Sequence, residues 1–145
     1  MTPGKTIRVL LADDHDMIRG ALRSLLDSEP GMRVIAEARD GDEAVRVAAE
    51  VGPDVVVMDL RMPGVGGAEA TRRIRADTPG AKVVVLSAHT DPRIVKDALA
   101  AGALGYVVKD EAFRDLAAAV RSAHEGKLFV ARDVKGVPAD RAGGV

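Results

Sequence analysis

Runs of branched apolar residues alternate with helical patterns along this chain, and this alternation limits the folds open to it more than any other feature. Five strands are predicted, at residues 7–12, 33–38, 54–59, 82–87 and 104–108. Residues 55–58 and 83–86 are apolar without alternation, which is typical of strands covered on both faces. These two strands therefore belong in the centre of a parallel sheet.

Apolar residues at helical spacing follow each strand. The predicted helices lie around residues 17–26, 44–51, 68–76, 93–101 and 111–125. Met17 belongs to the apolar set of the first helix, Phe113 and Leu116 are expected to face the core from the last, and Asp110 is a candidate cap. Strand starts roughly 20 to 30 residues apart match right-handed strand–helix–strand units. The expected architecture is α/β, a doubly wound parallel sheet with helices on both faces.

Composition narrows the class of function. The 145 residues fit one domain, and a net charge of −1 gives no field that would draw the chain to nucleic acid or anionic lipid. No cysteine is present and no apolar stretch approaches membrane-spanning length, so a cytoplasmic protein without membrane insertion is expected. The predicted domain covers 7–126, after an N-terminal extension at 1–6 and before a glycine- and proline-containing linker or flexible tail at 127–145.

Reactive side chains mark the ends of four predicted strands: Asp13 and Asp14, then Asp59, Ser87 and Lys109. In the flavodoxin-like strand order, ligands bind where the carboxyl ends of the first and third strands meet. Three carboxylates there cannot all ionise cheaply, so a hard divalent cation such as Mg²⁺ is expected. Asp59 is then a candidate nucleophile toward phosphorus, with Lys109 and Ser87 neutralising and positioning the phosphoryl group.

Each of these residues taken alone has an ordinary explanation. Asp13 and Asp14 are also typical helix caps, and Asp59 is typical of a turn. Lys109 is equally a solvated charge, and Ser87 an ordinary strand-end hydroxyl. Only the set as a whole favours a phosphoryl site.

Four short segments around these residues give the most specific signal in the chain: Val9-Leu10-Leu11-Ala12-Asp13-Asp14-His15, Val57-Met58-Asp59-Leu60-Arg61-Met62-Pro63-Gly64, Leu86-Ser87-Ala88 and Gly105-Tyr106-Val107-Val108-Lys109-Asp110. In these segments the chain resembles the receiver domain of bacterial two-component response regulators, over about residues 7–126. The resemblance implies a flavodoxin-like (CheY-like) five-stranded sheet in the order 2-1-3-4-5. The pair Lys109-Asp110 is similar to the NarL/FixJ (LuxR-type) subfamily, whose receivers usually precede a helix-turn-helix DNA-binding domain.

The resemblance also implies a role for each site residue. Asp59 would accept a phosphoryl group from a histidine of a sensor kinase. The ligands of Mg²⁺ (or Mn²⁺) would be Asp13, Asp14, Asp59 and the backbone carbonyl of Arg61. Ser87 would hydrogen-bond the phosphoryl group and Lys109 would pair with it. Tyr106 would be an aromatic switch that turns inward as Ser87 moves.

At the level of the whole protein, the resemblance implies a signalling protein rather than an enzyme, with self-catalysed phosphotransfer and autodephosphorylation left open. The expected output is a transcription-regulatory domain absent from this chain. Direct nucleic-acid binding by the chain is not expected, and a homodimer formed on phosphorylation is left open.

Several alternatives stay open at this point. An aspartate-nucleophile phosphatase would need a general acid where Arg61 stands, and a flavin-binding module would need a phosphate loop where Asp13 and Asp14 would repel phosphate. A phosphorylation-independent interaction module and a stand-alone phosphorelay protein are both compatible with the residues. Val65-Gly66-Gly67 departs from the Asp-Gly of many relatives, which predicts a looser start of the third helix.

The histidines are ambiguous. His15 is either a metal ligand or a residue at the start of a helix, and the oxygen preference of Mg²⁺ favours the second. His89 either overhangs the pocket, where it would tune the access of water, or is an ordinary loop residue. His124 is expected to interact favourably with the dipole of the last helix.

Overall fold

A computed structural model describes residues 6–131 of the chain. The strands are β1 (Ile7–Ala12), β2 (Met32–Ala38), β3 (Val55–Asp59), β4 (Lys82–Ser87), β5 (Gly105–Val108) and β6 (Phe129–Val130). They form one sheet in the order β2-β1-β3-β4-β5-β6, and every neighbouring pair is parallel. The predicted doubly wound α/β architecture and the order of its first five strands are therefore confirmed.

Helices connect the strands and cover both faces of the sheet. They are α1 (Asp16–Asp27), α2 (Gly41–Val51), α3 (Gly67–Asp77), α4 (Pro92–Ala100) and α5 (Ala112–His124). A short 3-10 turn at Lys109–Glu111 separates β5 from α5. One core contains the inward residues of α2, α3 and α4, and the other contains those of α1 and α5. The fold is the flavodoxin-like three-layer arrangement predicted from the sequence.

The two central strands are buried on both faces. All five residues of β3 are buried, and so are the last five residues of β4. A strand that is covered by helices on both faces has no position from which a polar side chain could reach water. Residues 55–58 and 83–86 are therefore apolar throughout and consist mainly of valine. Polar residues return where the strands end, and this places Asp59 and Ser87 at one edge.

The sheet has six strands rather than the predicted five. β6 lies in the segment predicted as linker or tail, and its backbone pairs with β5 in the register Gly105↔Phe129 and Tyr106↔Val130. Val130 and Ala131 are buried in the core. Residues 1–5 of the predicted extension and 132–145 of the predicted tail lie outside the described residues.

Two apolar residues predicted to face the core are exposed instead. Phe113 is 64% exposed in the first turn of α5, and Met17 is 88% exposed in the first turn of α1. Met17 precedes the buried positions of α1, whereas Phe113 lies off the buried stripe of α5, which begins at Ala112 and continues at Leu116. Asp110 does not cap α5, because the 3-10 turn moves the N-cap position to Glu111, whose side chain makes no capping hydrogen bond.

No helix within residues 6–131 is long and apolar enough to cross a membrane. The cytoplasmic location expected from the sequence stays a prediction.

The start of α3 depends on a glycine. A Cβ added at Gly67 would lie 2.5 Å from the carbonyl oxygen of Asp59 and 2.7 Å from the Cα of Leu60. Both of these atoms are backbone and cannot rotate away. The loop predicted to be loose is therefore tight at Gly67, where helix and strand backbones approach closely.

We expect Gly67→Ala to lower the free energy of unfolding by about 1–3 kcal/mol, because the added methyl group displaces the backbone beside Asp59. Gly20→Ala is the matched control, since a Cβ there meets no atom within 4 Å. In the middle of α1 this control should raise stability by about 0.5–1 kcal/mol. Urea unfolding of the two variants measures both values, and equal stability of the two would contradict the close approach.

Candidate functional site

The carboxyl ends of four neighbouring strands bring the predicted residues together. Asp13 and Asp14 follow β1, Asp59 ends β3, Ser87 ends β4 and Lys109 follows β5. Because β1 and β3 are neighbours whose outer partners are β2 and β4, the strand order reverses between them. This is the position at which open parallel sheets bind ligands.

Acidic groups crowd this crevice. Single ligand atoms of Asp13, Asp14, His15 and Asp59 all lie within 4.8 Å of one another. Asp13 is 0% and Asp59 1% exposed. The Oδ2 atom of Asp13 is buried and has no hydrogen-bond partner. An orphaned carboxylate oxygen among further carboxylates fits a hard divalent cation, because such a cation takes oxygen ligands and offsets the repulsion between the acids.

Lys109 is the cation nearest to the buried acids. Its Nζ atom donates a hydrogen bond to Asp59 Oδ2 at 3.0 Å and lies 3.8 Å from Asp13 Oδ2. The second distance makes an ion pair without a hydrogen bond. One ammonium group thus faces two buried carboxylates, and this leaves net negative charge at the base of the crevice.

The pKa of the Asp59 carboxyl is raised. Burial is the largest cause, and the nearby charge of Asp13 adds to it. The hydrogen bond and charge of Lys109 and the backbone N–H of Arg61, which donates to Asp59 Oδ1 at 3.2 Å, act in the opposite direction. Asp59 is therefore a carboxylate whose ionised form the surrounding protein groups stabilise incompletely.

Ser87 and Tyr106 meet at the backbone of His89. The N–H of His89 donates to Ser87 Oγ at 3.0 Å, and the hydroxyl of Tyr106 donates to the His89 carbonyl at 2.8 Å. Tyr106 is fully buried, and burial raises the pKa of its hydroxyl. The side chain of Tyr106 is thus already turned inward and is connected to Ser87 through one residue.

A small cavity opens above Asp59. Its volume is about 190 Å³, and it is lined by His15, Asp59, Leu60, Arg61, Ser87, Ala88 and Lys109. A cavity of this size holds a small tetrahedral group rather than a nucleotide or flavin. Asp59, Ser87 and Lys109 share this cavity, so a carboxylate, a hydroxyl and an ammonium group face the same small space.

Comparison with known proteins identifies the family. The sequence model of one protein family, the response regulator receiver domain, matches residues 9–121 of the chain. The chain belongs to the response regulator receiver family. The receiver resemblance predicted from the sequence is therefore confirmed.

Individual relatives agree with this assignment. The chain is 39% identical over 128 residues to response regulator UvrY of Escherichia coli. This match covers 88% of the chain and 59% of UvrY. It is 42% identical over 130 residues to transcriptional regulatory protein LiaR of Bacillus subtilis, covering 90% of this chain and 62% of LiaR. This chain thus spans about three fifths of the length of these curated relatives.

A solved structure is also similar. A two-component response regulator of the LuxR family from Aurantimonas superposes with a TM-score of 0.86 at 39% identity, covering 90% of this chain and 93% of that one. This likeness supports the LuxR-type subfamily predicted from the sequence.

The contacts of Asp13 and Asp14 show whether these residues cap the first helix or lie at the site. Neither Asp13 nor Asp14 caps α1, because the N-cap is His15 and its position has no side-chain capping bond. Instead the backbone N–H of His15 donates to Asp13 Oδ1 at 2.8 Å. The His15 ring Nδ1 lies 3.1 Å from Asp14 Oδ1, so His15 is both a helix-start residue and a neighbour of the acids.

Sequence reasoning missed Arg19. This residue is 7% exposed, and its guanidinium donates to the backbone carbonyl of Asp13 at 2.6 Å. One signal was present in the sequence. Arg19 occupies the same helical stripe as Leu22 and Leu26, which are buried, and an arginine at a core-facing position requires buried partners.

We expect Asp59→Asn to raise the free energy of unfolding by about 1 kcal/mol at neutral pH in the presence of a chelator. The folded pKa of Asp59 lies above its unfolded value, so ionisation of this group destabilises the fold. That cost is absent below the unfolded pKa of about 3.9 and grows as the pH rises through the interval between the two values. The advantage of the variant should therefore appear on raising the pH.

Urea unfolding from acid to neutral pH measures this difference. Asp97→Asn, at an exposed position of α4, is the control and should stay within about 0.5 kcal/mol of the parent. A difference between Asp59→Asn and the parent that is the same at every pH would mean that the ionisation of Asp59 is not its source.

Proposed function

We propose that this receiver domain accepts a phosphoryl group on Asp59 from a histidine of a sensor kinase, with Mg²⁺ or Mn²⁺ bound beside it. The observation that carries the proposal is the contact of Lys109 Nζ with Asp59 Oδ2 at 3.0 Å, beside a cavity that Ser87 also lines. A buried carboxylate paired with an ammonium and facing a small cavity suits an in-line displacement at phosphorus, which needs positioning and charge neutralisation.

In the proposed transfer, one bond to phosphorus forms while another breaks. A carboxylate oxygen of Asp59 attacks phosphorus while the bond from phosphorus to the donor nitrogen breaks. The electron pair of that bond returns to the donor imidazole, which is left neutral or takes a proton from water. The product is an acyl phosphate, and Lys109 is positioned to pair with its new negative charge.

Metal binding is part of this proposal. Asp13, Asp14, Asp59 and the backbone carbonyl of Arg61 would hold the ion. When bound, it supplies positive charge that neutralises the acids and polarises a phosphoryl oxygen. The burial of Asp13 Oδ2 without a hydrogen-bond partner supports Asp13 as a member of this set.

The structure also suggests how the charge at Asp59 would reach a distant surface. Ser87 Oγ accepts from His89 and still has its own hydrogen to donate to a phosphoryl oxygen. If Ser87 moves toward that oxygen, the backbone of His89 moves with it. Tyr106 holds the His89 carbonyl and would follow, so the switch would act on the face formed by α4, β5 and α5.

Transcriptional output is the further part of the proposal. LiaR is named as a transcriptional regulatory protein, and this chain matches about three fifths of its length. We therefore propose that the domain controls a DNA-binding output and does not itself bind nucleic acid, in line with the net charge of −1. A homodimer formed on phosphorylation would be one way to transmit the signal.

The phosphoacceptor is tested by labelling from a purified sensor kinase and from acetyl phosphate, with Mg²⁺ present. We expect the parent and Asp97→Asn to be labelled equally and Asp59→Asn to lose at least about 99% of the label, because it removes the nucleophile. Phosphate-affinity gels measure the modified fraction. Undiminished label on Asp59→Asn would place the nucleophile elsewhere, and a parent that no donor labels would favour a phosphorylation-independent module.

The switch is tested with Tyr106→Phe, which keeps the ring and removes the hydroxyl that holds His89. We expect phosphorylation within about twofold of the parent rate, because Tyr106 does not line the cavity above Asp59. Beryllofluoride with Mg²⁺ should shift the amide resonances of α4 in the parent and much less in the variant. Equal shifts in both proteins would exclude the Tyr106 hydroxyl as the connection. Ser87→Ala is the control, and it should lower the phosphorylation rate and also reduce the resonance shifts of α4.

A further inference from the structure

Arg19 is a buried cation that the phosphoryl chemistry does not use directly. It lies in the second turn of α1, and its side chain is only 9% exposed. Burying a charge raises the free energy of the folded state unless the charge is paired, so a buried arginine needs hydrogen-bonding or ionic partners. Arg19 has three such partners, and they belong to three different parts of the chain.

The first partner is the backbone of Asp13. Arg19 Nη1 donates to the Asp13 carbonyl at 2.6 Å, and the contact is buried. The N–H of Asp13 donates to the Ala38 carbonyl at the end of β2 at 3.0 Å. Both polar groups of the Asp13 backbone are therefore held, one by the sheet and the other by Arg19.

The other two partners hold Arg19 itself. Its Nε atom donates to Glu37 on β2 at 2.7 Å, and its Nη2 atom donates to Asp16 on α1 at 2.6 Å. The second oxygen of Glu37 accepts from Arg23. The planar guanidinium thus points three nitrogens in three fixed directions, which a lysine ammonium on a flexible stem does not do.

We propose that Arg19 is a positioning residue for the acidic pair Asp13 and Asp14, because it fixes the peptide that joins them relative to β2 and α1. The inference rests on the proposed metal-dependent phosphorylation. Asp13 contributes the carbonyl that Arg19 holds, and that carbonyl begins the peptide bond to Asp14. Rotation of this peptide would turn both carboxylates away from Asp59.

Contacts of the Asp13 side chain support this role. Asp13 Oδ1 accepts from the His15 N–H, while Oδ2 has no hydrogen bond. Because the two oxygens belong to one planar carboxylate, the backbone N–H that holds Oδ1 also orients Oδ2, so the direction of Oδ2 follows from the local backbone. A group that holds the backbone of Asp13 thus determines where the orphaned oxygen lies.

The experiment measures metal affinity directly. Mn²⁺ is titrated into the parent, Arg19→Gln and Arg19→Lys, and the free ion is counted by its electron paramagnetic resonance signal. Arg23→Gln is the matched control, because Arg23 also pairs with Glu37 and makes no contact with Asp13. We expect Arg19→Gln to weaken Mn²⁺ binding about tenfold, as for other residues that orient metal ligands, and Arg23→Gln to leave it within about twofold.

A second readout separates positioning from stability. The Mg²⁺ concentration that gives half the maximal phosphorylation rate should rise in Arg19→Gln, while the rate at saturating Mg²⁺ recovers toward the parent value. A loss of folding alone would lower the maximal rate without changing that concentration. If Arg19→Gln does not fold, Glu37→Gln supplies the test, because it loosens the group that holds Arg19 and should weaken Mn²⁺ binding by a smaller factor in the same direction.

The outcomes distinguish this inference from the proposed function. If the parent binds neither ion, the proposed metal site fails and Arg19 has nothing to position. If the parent binds Mn²⁺ and the Arg19 and Arg23 variants bind it equally, the positioning role of Arg19 is overturned while the metal site stands.

Discussion

Two carboxylates buried side by side at the edge of a parallel sheet are the constraint on which the rest of this structure depends. Asp13 and Asp59 are almost completely inaccessible, and one ammonium group, from Lys109, lies within 4 Å of both carboxylates. Burial and the nearby charge of Asp13 raise the pKa of Asp59, so the protein groups alone do not balance the charge of the two acids. An added divalent cation would offset the excess negative charge, which a phosphoryl group would increase.

The fold creates this constraint by bringing together distant parts of the chain. Residues 13, 59 and 109 are far apart in sequence, and they meet because β1, β3 and β5 are parallel and all end at one edge. Residues 55–58 of β3 and 83–86 of β4 contain no polar side chain, so the chemistry of these two central strands is confined to their ends. The same edge also carries the tight approach of Gly67 to Asp59, which shows how little room the backbone leaves around the site.

Much of this could be predicted from the sequence. Two strands, β1 and β4, have the bounds that their apolar runs predicted, and the polar residues at the strand ends lie together as expected. The failures have physical reasons. β6 has two residues, too few to form a pattern, and it exists because the edge of β5 offers unpaired backbone groups. Phe113 is exposed because it lies one position beyond Ala112, off the buried stripe of α5, a difference that apolar spacing does not fix.

Arg19 shows the limit of reading residues by type. Its place on the same stripe of α1 as Leu22 and Leu26 indicates buried partners, but only the fold shows that its guanidinium reaches the carbonyl of Asp13. The distances of Lys109 and the shared contacts of Ser87 and Tyr106 with His89 likewise depend on side-chain directions that a linear pattern does not contain. Family resemblance assigned roles to these residues, and the structure adds how they are held.

The proposed phosphoacceptor is the carboxylate next to Lys109, which phosphorylation would convert into an acyl phosphate. The most direct measurement is reduction of the phosphorylated chain with borohydride, which converts an acyl phosphate into an alcohol, followed by mass spectrometry of its peptides. The account predicts a single reduced residue, at position 59, which appears only when phosphodonor and Mg²⁺ are both supplied. Reduction at Asp13 or Asp14 with Asp59 intact would contradict it.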